Sequence, residues 1–422
     1  MTSLLVADSK YQFIPPHEGR FWPRLLGRLT PRYLKRKHGI THIEVRGGEI
    51  VKELQKSGHR VLLAPNHCRM SDAVVLQSLA SSLQQPFYVM ASAHLFRGNR
   101  LLAWVLRRLG AFSVYREGVD RVAIQKGIDI LVQGDRPLVL FPEGALSHAN
   151  DHLNVLQEGV SFIARSAAAK LEKSADAANR PTAEKVYTVP VAIRYVYTGD
   201  IEATAGAMLD NIERRLSWQP QKGQCLVQRI YRVGNALLSL KEQEYLGQSQ
   251  TGTLDERLDR LINHILVPLE SEWCGGPKAG TAILRVKEIR RAILPAMIDG
   301  QLTSDEMERR WRQLTAAGFA QSLSLYPSRY VITHPTVDRI LETVERFNEH
   351  LNGDETPHGP MKAIIQVGDP IEVCPKRDRN AKSDPLMAAI ECALKSLLEK
   401  NRSECVMYDI KKATPSESSL PV

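Results

Sequence analysis

Residues 59–72 read His-Arg-Val-Leu-Leu-Ala-Pro-Asn-His-Cys-Arg-Met-Ser-Asp. An apolar run of strand length gives way to a polar loop. At Asp72 the loop gives way to an apolar segment that predicts a helix over 72–83. The alternation continues, with strands expected over 86–91, 111–115 and 137–141 and helices over 99–109 and 120–133. A longer strand-like run fills 186–195. Strands that alternate with helices build a mainly parallel sheet covered by helices. The fold expected is therefore α/β, a mainly parallel or mixed sheet flanked by helices. Ligands in such sheets collect in the loops beyond the carboxyl ends of the strands, which makes the loop 65–72 the first place to look for chemistry.

Outward from this core the pattern changes. Residues 203–360 read as a helical insertion, with breaks at Gly247, Gly275-Gly276, Gly300 and Gly318 and a helix start at Thr303. A strand pattern returns over 361–373 with Gly368-Asp369-Pro370 inside it, and 383–400 reads as an amphipathic helix. The chain is thus expected to divide into N-terminal helices (1–40), a first α/β part (41–202), the insertion (203–360), a closing strand and helix (361–402) and a flexible tail (403–422). No internal repeat is apparent.

The chain has 422 residues and a formal net charge of +9. Its 43% hydrophobic and 24% charged composition is that of a folded globular protein. No run approaches the roughly 18–20 apolar residues of a spanning helix, and no signal-peptide core is read at the start. Six cysteines without a C-x-x-C pair suggest a reducing compartment, each thiol acting as a small buried apolar group. The charge is uneven: residues 1–50 hold nine Lys/Arg against four Asp/Glu. Arg20, Arg24, Arg28, Arg32 and Arg36 recur every fourth position beside Phe21, Trp22, Leu25, Leu26, Leu29, Tyr33 and Leu34. Pro23 suits the first turn of one short helix, and Thr30-Pro31 the cap and first turn of another. Arginine on one side and aromatic and aliphatic groups on the other is the composition of an interfacial membrane helix. Arg20, Trp22, Arg24, Arg28 and Arg32 are the expected contacts with an anionic membrane surface. The competing partner of a basic stripe is nucleic acid, but no zinc finger, RNP1 or basic-zipper pattern is present.

In the loop after the first strand, His67 and Asp72 are five residues apart. On a strand–loop–helix turn the carboxylate can accept a proton from one imidazole nitrogen. That fixes the tautomer and leaves the other nitrogen as a general base. This is a base and its orienting group without a protein nucleophile, and no G-x-S-x-G elbow occurs. A second strand-end loop holds Phe141-Pro142-Glu143-Gly144-Ala145-Leu146-Ser147. Between the two lies Gly110-Ala111-Phe112-Ser113-Val114-Tyr115-Arg116, and a fourth piece is Val189-Pro190-Val191.

Taken together and in this order, these pieces resemble the glycerolipid acyltransferases typified by 1-acylglycerol-3-phosphate acyltransferases. Asn66, His67 and Asp72 match that family's N-H-x(4)-D. Gly110, Phe112 and Arg116 match its second motif, Phe141, Pro142, Glu143, Gly144 and Ser147 its F-P-E-G-T-R-S, and residues 189–191 its V-P-V strand. The resemblance covers about 41–200 and resumes over 364–373, similar to the family's closing strand. Some bacterial members carry an N-terminal pair of membrane-binding helices, similar to residues 20–38. The departures are Ala145 and Leu146 in place of Thr and Arg, and Arg69 in place of a frequent Ser.

The resemblance implies a fatty acyl group moved from acyl-CoA or acyl carrier protein to the hydroxyl of a lysophospholipid or glycerol-phosphate-type acceptor. His67 and Asp72 would be catalytic. Arg116, Glu143, Gly144 and Arg69 would hold the acceptor. No cofactor and no metal are expected. The site would work at the cytoplasmic face of a membrane, held there peripherally. A non-catalytic lipid-binding scaffold with the same fold, and a thioesterase-like hydrolase using His67 to activate water, are the alternatives.

Overall fold

The computed structural model describes residues 11–177, 184–300, 302–326, 329–353, 356–378, 381 and 383–410. It contains two compact units. Residues 11–198 and 359–404 form the first, and residues 199–358 with the segment from 405 form the second. In chain order the elements are α1 (Phe21–Gly27), α2 (Thr30–His38), β1 (Ile40–Arg46), α3 (Glu49–Lys56), β2 (Arg60–Pro65), α4 (Asp72–Ser82), β3 (Tyr88–Ser92), α5 (Arg100–Arg108), β4 (Ala111–Val114), α6 (Arg121–Gln133), β5 (Leu138–Val139), α7 (Gly159–Ala177) and β6 (Val186–Tyr197). The helical unit follows as α8 (Ile201–Arg215), α9 (Leu226–Leu246), α10 (Leu254–Trp273), α11 (Ala282–Asp299), α12 (Ser304–Ser324), α13 (Tyr330–Thr333) and α14 (Val337–Asn352). The chain then returns to the first unit as β7 (Met361–Val367), β8 (Ile371–Glu372) and α15 (Pro385–Lys400).

The first unit is the mixed, mainly parallel sheet that the alternation predicts. Its strand order is β1-β7-β6-β2-β5-β3-β4, with β8 pairing β6. Strands β6, β2, β5, β3 and β4 run parallel, so their carboxyl ends share one rim. The apolar strand residues are buried on both faces, as a sheet covered by helices requires. Leu62, Phe112 and Leu138 pack with Ile130 and Leu131 of α6, Ile163 and Ala164 of α7, and Ile390 and Leu394 of α15. Strand β7 is antiparallel to β6, with Tyr197 opposite Met361. The helical unit thus occupies the connection between two neighbouring strands whose ends already meet, a position at which a long insertion costs little closure entropy.

In the second unit Gly247 and Gly300 end α9 and α11 in the left-handed conformation, and Thr303 caps α12. Gly318, a break by sequence, lies inside α12. The tail expected from 403 is also shorter. Asn401–Glu404 is a 3₁₀ turn, and the Tyr408 hydroxyl donates to Glu202 at 2.6 Å. Residues 411–422 lie outside the described residues.

The structure also contains a repeat that the sequence hid. Arg229, Arg257 and Arg285 stand 28 residues apart near the starts of α9, α10 and α11. Each makes a two-pronged, buried ion pair with a glutamate near the end of the preceding helix. Arg229 holds Glu213 at 3.0 and 2.8 Å, Arg257 holds Glu242 at 2.9 and 2.8 Å, and Arg285 holds Glu270 at 2.7 and 3.0 Å. Each glutamate also accepts the backbone N–H eight residues later, from Gln221, Gln250 and Lys278. Arg257 and Arg285 further donate to Asn235 and Asn263, each 22 residues before its arginine. Helices α8–α11 are thus a series of helix-plus-loop modules with one shared joint.

Candidate active site

Strand β2 ends at Pro65, and Asn66 continues it by side chain. Its amide donates to the Ile193 carbonyl at 3.1 Å and accepts the Ile193 N–H at 2.7 Å, imitating one more rung of the β2–β6 ladder. Asn150 does the same two residues on, taking both backbone groups of Tyr195 at 2.7 and 2.9 Å. Two side-chain amides thus carry β6 past the point where its neighbour has turned away.

The turn brings His67 back onto Asp72. His67 Nδ1 lies 2.9 Å from Asp72 Oδ2, which also accepts the Arg69 N–H at 3.0 Å. Asp72 is wholly buried at the start of α4, whereas the His67 side chain is 22% exposed. Asp72 Oδ1 accepts the Tyr195 hydroxyl at 2.6 Å, and the Ser71 hydroxyl donates in turn to Tyr195 at 2.9 Å. The Cys68 thiol is a distant third neighbour at 3.7 Å. Burial and the Asp72 charge hold the Tyr195 phenol far above its ordinary range, so it remains a donor. The His67 ring stacks on Phe141, centroids 4.1 Å apart. With Nδ1–H given to the carboxylate, Nε2 is the nitrogen left to act as a base. Spacing arguments do not reach Tyr195 and Ser71. The signal for Tyr195 is its place two residues beyond Ile193 on a strand whose odd-numbered positions face one way.

The third-motif loop is tied to the first. Glu143 accepts the His67 N–H at 2.6 Å with Oε1 and the Asn154 N–H at 2.8 Å with Oε2. The Ser147 N–H donates to the His67 carbonyl at 2.8 Å. These bonds zip the two loops together, so Glu143 fixes the backbone of His67. Burial pushes its carboxyl up to about 8 against the pull of the two backbone N–H groups. The resemblance assigns Glu143 to holding the acceptor. It is instead fully buried with both oxygens occupied by backbone donors, which makes it a brace for the site. Gly144 turns the loop in the left-handed region at φ +65° and is exposed.

A family model described as Acyltransferase matches residues 42–194. Over that stretch the chain is similar to the family's domain. A 1-acyl-sn-glycerol-3-phosphate acyltransferase of Streptococcus pneumoniae is 35% identical over 111 residues. The match covers 26% of this chain and 39% of that relative, so the chain spans about two fifths of the relative's length.

Within the matched stretch, Arg116 stands apart from His67. It follows β4, which lies three strand positions from β2, about 14 Å at ordinary strand spacing. It is exposed and faces the neighbourhood of His94, whose imidazole is lowered to about 4 by burial and by the Arg116 charge. Gly110, which opens this motif, has φ +96°, and a Cβ there would stand 2.4 Å from the Phe87 carbonyl oxygen. Only glycine lets β4 start so close to the β3 chain. Arg69 lies over the Tyr195 ring, 5.4 Å from its centroid.

The N-terminal residues divide. Arg24, Arg28 and Arg32 are exposed. Arg20 is ion-paired with Asp135, and Trp22 is half-buried against Phe21 and Trp104 beneath Arg108. The outward apolar row is Phe21, Leu25, Leu29 and Tyr33, at four-residue spacing across α1 and α2. Thr30 is the first residue of α2, and Leu29 takes the cap position that the sequence gives to Thr30. The cysteines divide likewise. Cys68 and Cys225 are buried, but Cys374 and Cys392 are exposed, which corrects the expectation that each thiol is buried. Among the described residues no cluster of His, Cys, Asp and Glu could hold a metal ion, and no helix is long and apolar enough to cross a membrane.

Proposed function

We propose that this chain transfers a fatty acyl group from a thioester, acyl-CoA or acyl carrier protein, to the hydroxyl of a lysophospholipid or glycerol-phosphate-type acceptor. The observation that carries the reading is the 2.9 Å contact between His67 Nδ1 and a wholly buried Asp72. It leaves Nε2 as the base on a partly exposed ring. Nε2 takes the proton of the acceptor hydroxyl as that oxygen attacks the thioester carbonyl. The tetrahedral intermediate collapses, the carbon–sulfur bond breaks, and the thiolate leaves with the proton returned by the imidazolium. Asp72 holds the ring and balances the transient positive charge. The attacking nucleophile belongs to the substrate, in keeping with a site that presents a base and no activated serine or cysteine. Arg116 and Arg69 are the candidate contacts for an acceptor phosphate.

The same proposal has the chain working as a peripheral protein at an anionic membrane surface. The exposed Arg24, Arg28 and Arg32 beside the row Phe21, Leu25, Leu29 and Tyr33 support it.

The test is purified full-length protein with acyl-CoA and a panel of lysophospholipids, following thiol release and product mass. His67→Ala should abolish transfer and leave folding intact. Full activity in that variant rejects the mechanism. Free fatty acid released without an acceptor would favour the hydrolase reading.

A further inference from the structure

We propose that α5 is a third lipid-contacting helix, joined to α1 and α2 in one membrane-docking face. This extends the peripheral-membrane reading above and rests on it. On α5, Leu101 is 70% exposed, and Leu102 and Trp104 are exposed beside it. Leu101 and Trp104 are three residues apart and share a side of the helix. The apolar surface is continuous between the helices. The Trp104 ring meets Trp22 edge-on with centroids 5.0 Å apart, and Trp22 meets Phe21 at 5.4 Å. Phe21 opens the row that runs on through Leu25, Leu29 and Tyr33. Arg108 caps the joint, its guanidinium 5.4 Å from the Trp22 ring and 5.3 Å from the Trp104 ring. The pairing sets the two helices at a fixed relation, so both would meet a flat surface together.

Charge identifies the occupant. Residues 19–43 contain no carboxylate, and neither do residues 73–116, which carry Arg97, Arg100, Arg107, Arg108 and Arg116. Among the described residues, the acids that adjoin this region are Glu18, Glu117, Asp120 and Asp135, the last ion-paired with Arg20. An apolar row flanked by arginines with so few acids suits the headgroup and acyl boundary of an anionic lipid layer. A protein groove would leave that many cations to be neutralised one by one. The sequence pattern of the N-terminal helices gives no hint of α5, which lies far along the chain from them and reads as one helix of the α/β alternation.

The test is co-sedimentation of the full chain with vesicles of equimolar phosphatidylglycerol and phosphatidylcholine. The variants are Leu101→Glu, Leu29→Glu and Leu240→Glu, the last an exposed apolar residue of the helical unit. A charge placed on a lipid-facing leucine should weaken binding about tenfold or more. Leu101→Glu and Leu29→Glu should both show this, and Leu240→Glu should bind like the parent. Since Leu101 is largely exposed, thermal unfolding of its variant should match the parent. If Leu29→Glu loses binding and Leu101→Glu does not, α5 stands clear of the lipid and the proposal falls while the membrane reading survives. If neither loses binding, the membrane reading fails and the proposal with it. Equal loss in Leu240→Glu would reduce the effect to net charge and overturn the assignment to α5.

Discussion

Replacing Tyr195 by Phe removes one oxygen atom and tests the whole site. Asp72 has two donors on Oδ2, His67 Nδ1 and the Arg69 N–H. On Oδ1 it has the Tyr195 hydroxyl at 2.6 Å and the Cys68 thiol at 3.7 Å. Tyr195→Phe leaves that oxygen of a wholly buried carboxylate with the thiol alone. A hydrogen bond to a buried charge contributes about 1.5–3 kcal/mol, so folding stability should fall by about that amount in a denaturant titration. If the carboxylate then turns away from the ring, kcat should fall about tenfold or more, with the acceptor KM little changed. Adding the substitution to Asp72→Asn should cost little more than Asp72→Asn alone, because Tyr195 acts through that carboxylate. A folded Tyr195→Phe protein with unchanged kcat, or strictly additive losses in the double variant, would refute the reasoning.

Glu143→Gln should lower stability by about 1–3 kcal/mol and reduce turnover, because an amide NH₂ would face one of the two backbone donors. The parent should also lose stability as pH rises from about 4.5 to about 8. Over that window folded Glu143, pushed up to about 8, keeps a proton that the unfolded chain has released, and denaturation of the Gln variant should be flatter there. Arg257→Met strands the buried Glu242 carboxylate and should cost about 3–5 kcal/mol, whereas pairing it with Glu242→Leu should recover most of the loss. Gly110→Ala, with its Cβ driven toward the Phe87 carbonyl, should lower the urea midpoint, at a cost of about 2 kcal/mol or more.

Much of the first unit is legible because its strands are apolar runs bounded by loops. Residues 60–65 and 186–197 announce themselves by composition, and Asp72 marks its helix start by chemistry. His67 and Asp72 can be paired on paper since a strand–loop–helix turn folds five residues back on themselves. Tyr195 and Asn150 cannot, because they reach the site from 123 and 78 residues beyond Asp72, and only the sheet order brings β6 beside β2. Glu143 is misassigned by sequence for a related reason: spacing gives the residue's neighbourhood but says nothing of the side its carboxylate faces. The repeat escapes notice since its signature is one arginine every 28 residues and one glutamate every 28 or 29, with loops of unequal length between.

The joints between the helical modules make the insertion a ruler with one graduation. Removing residues 226–253, one full period, would bring Arg257 to the place of Arg229 at the same 16-residue distance from Glu213. Removing half a period would leave an arginine facing solvent and a glutamate facing apolar side chains. The register of the joint along α8–α11 is therefore kept by length changes of whole 28-residue periods and lost by any other.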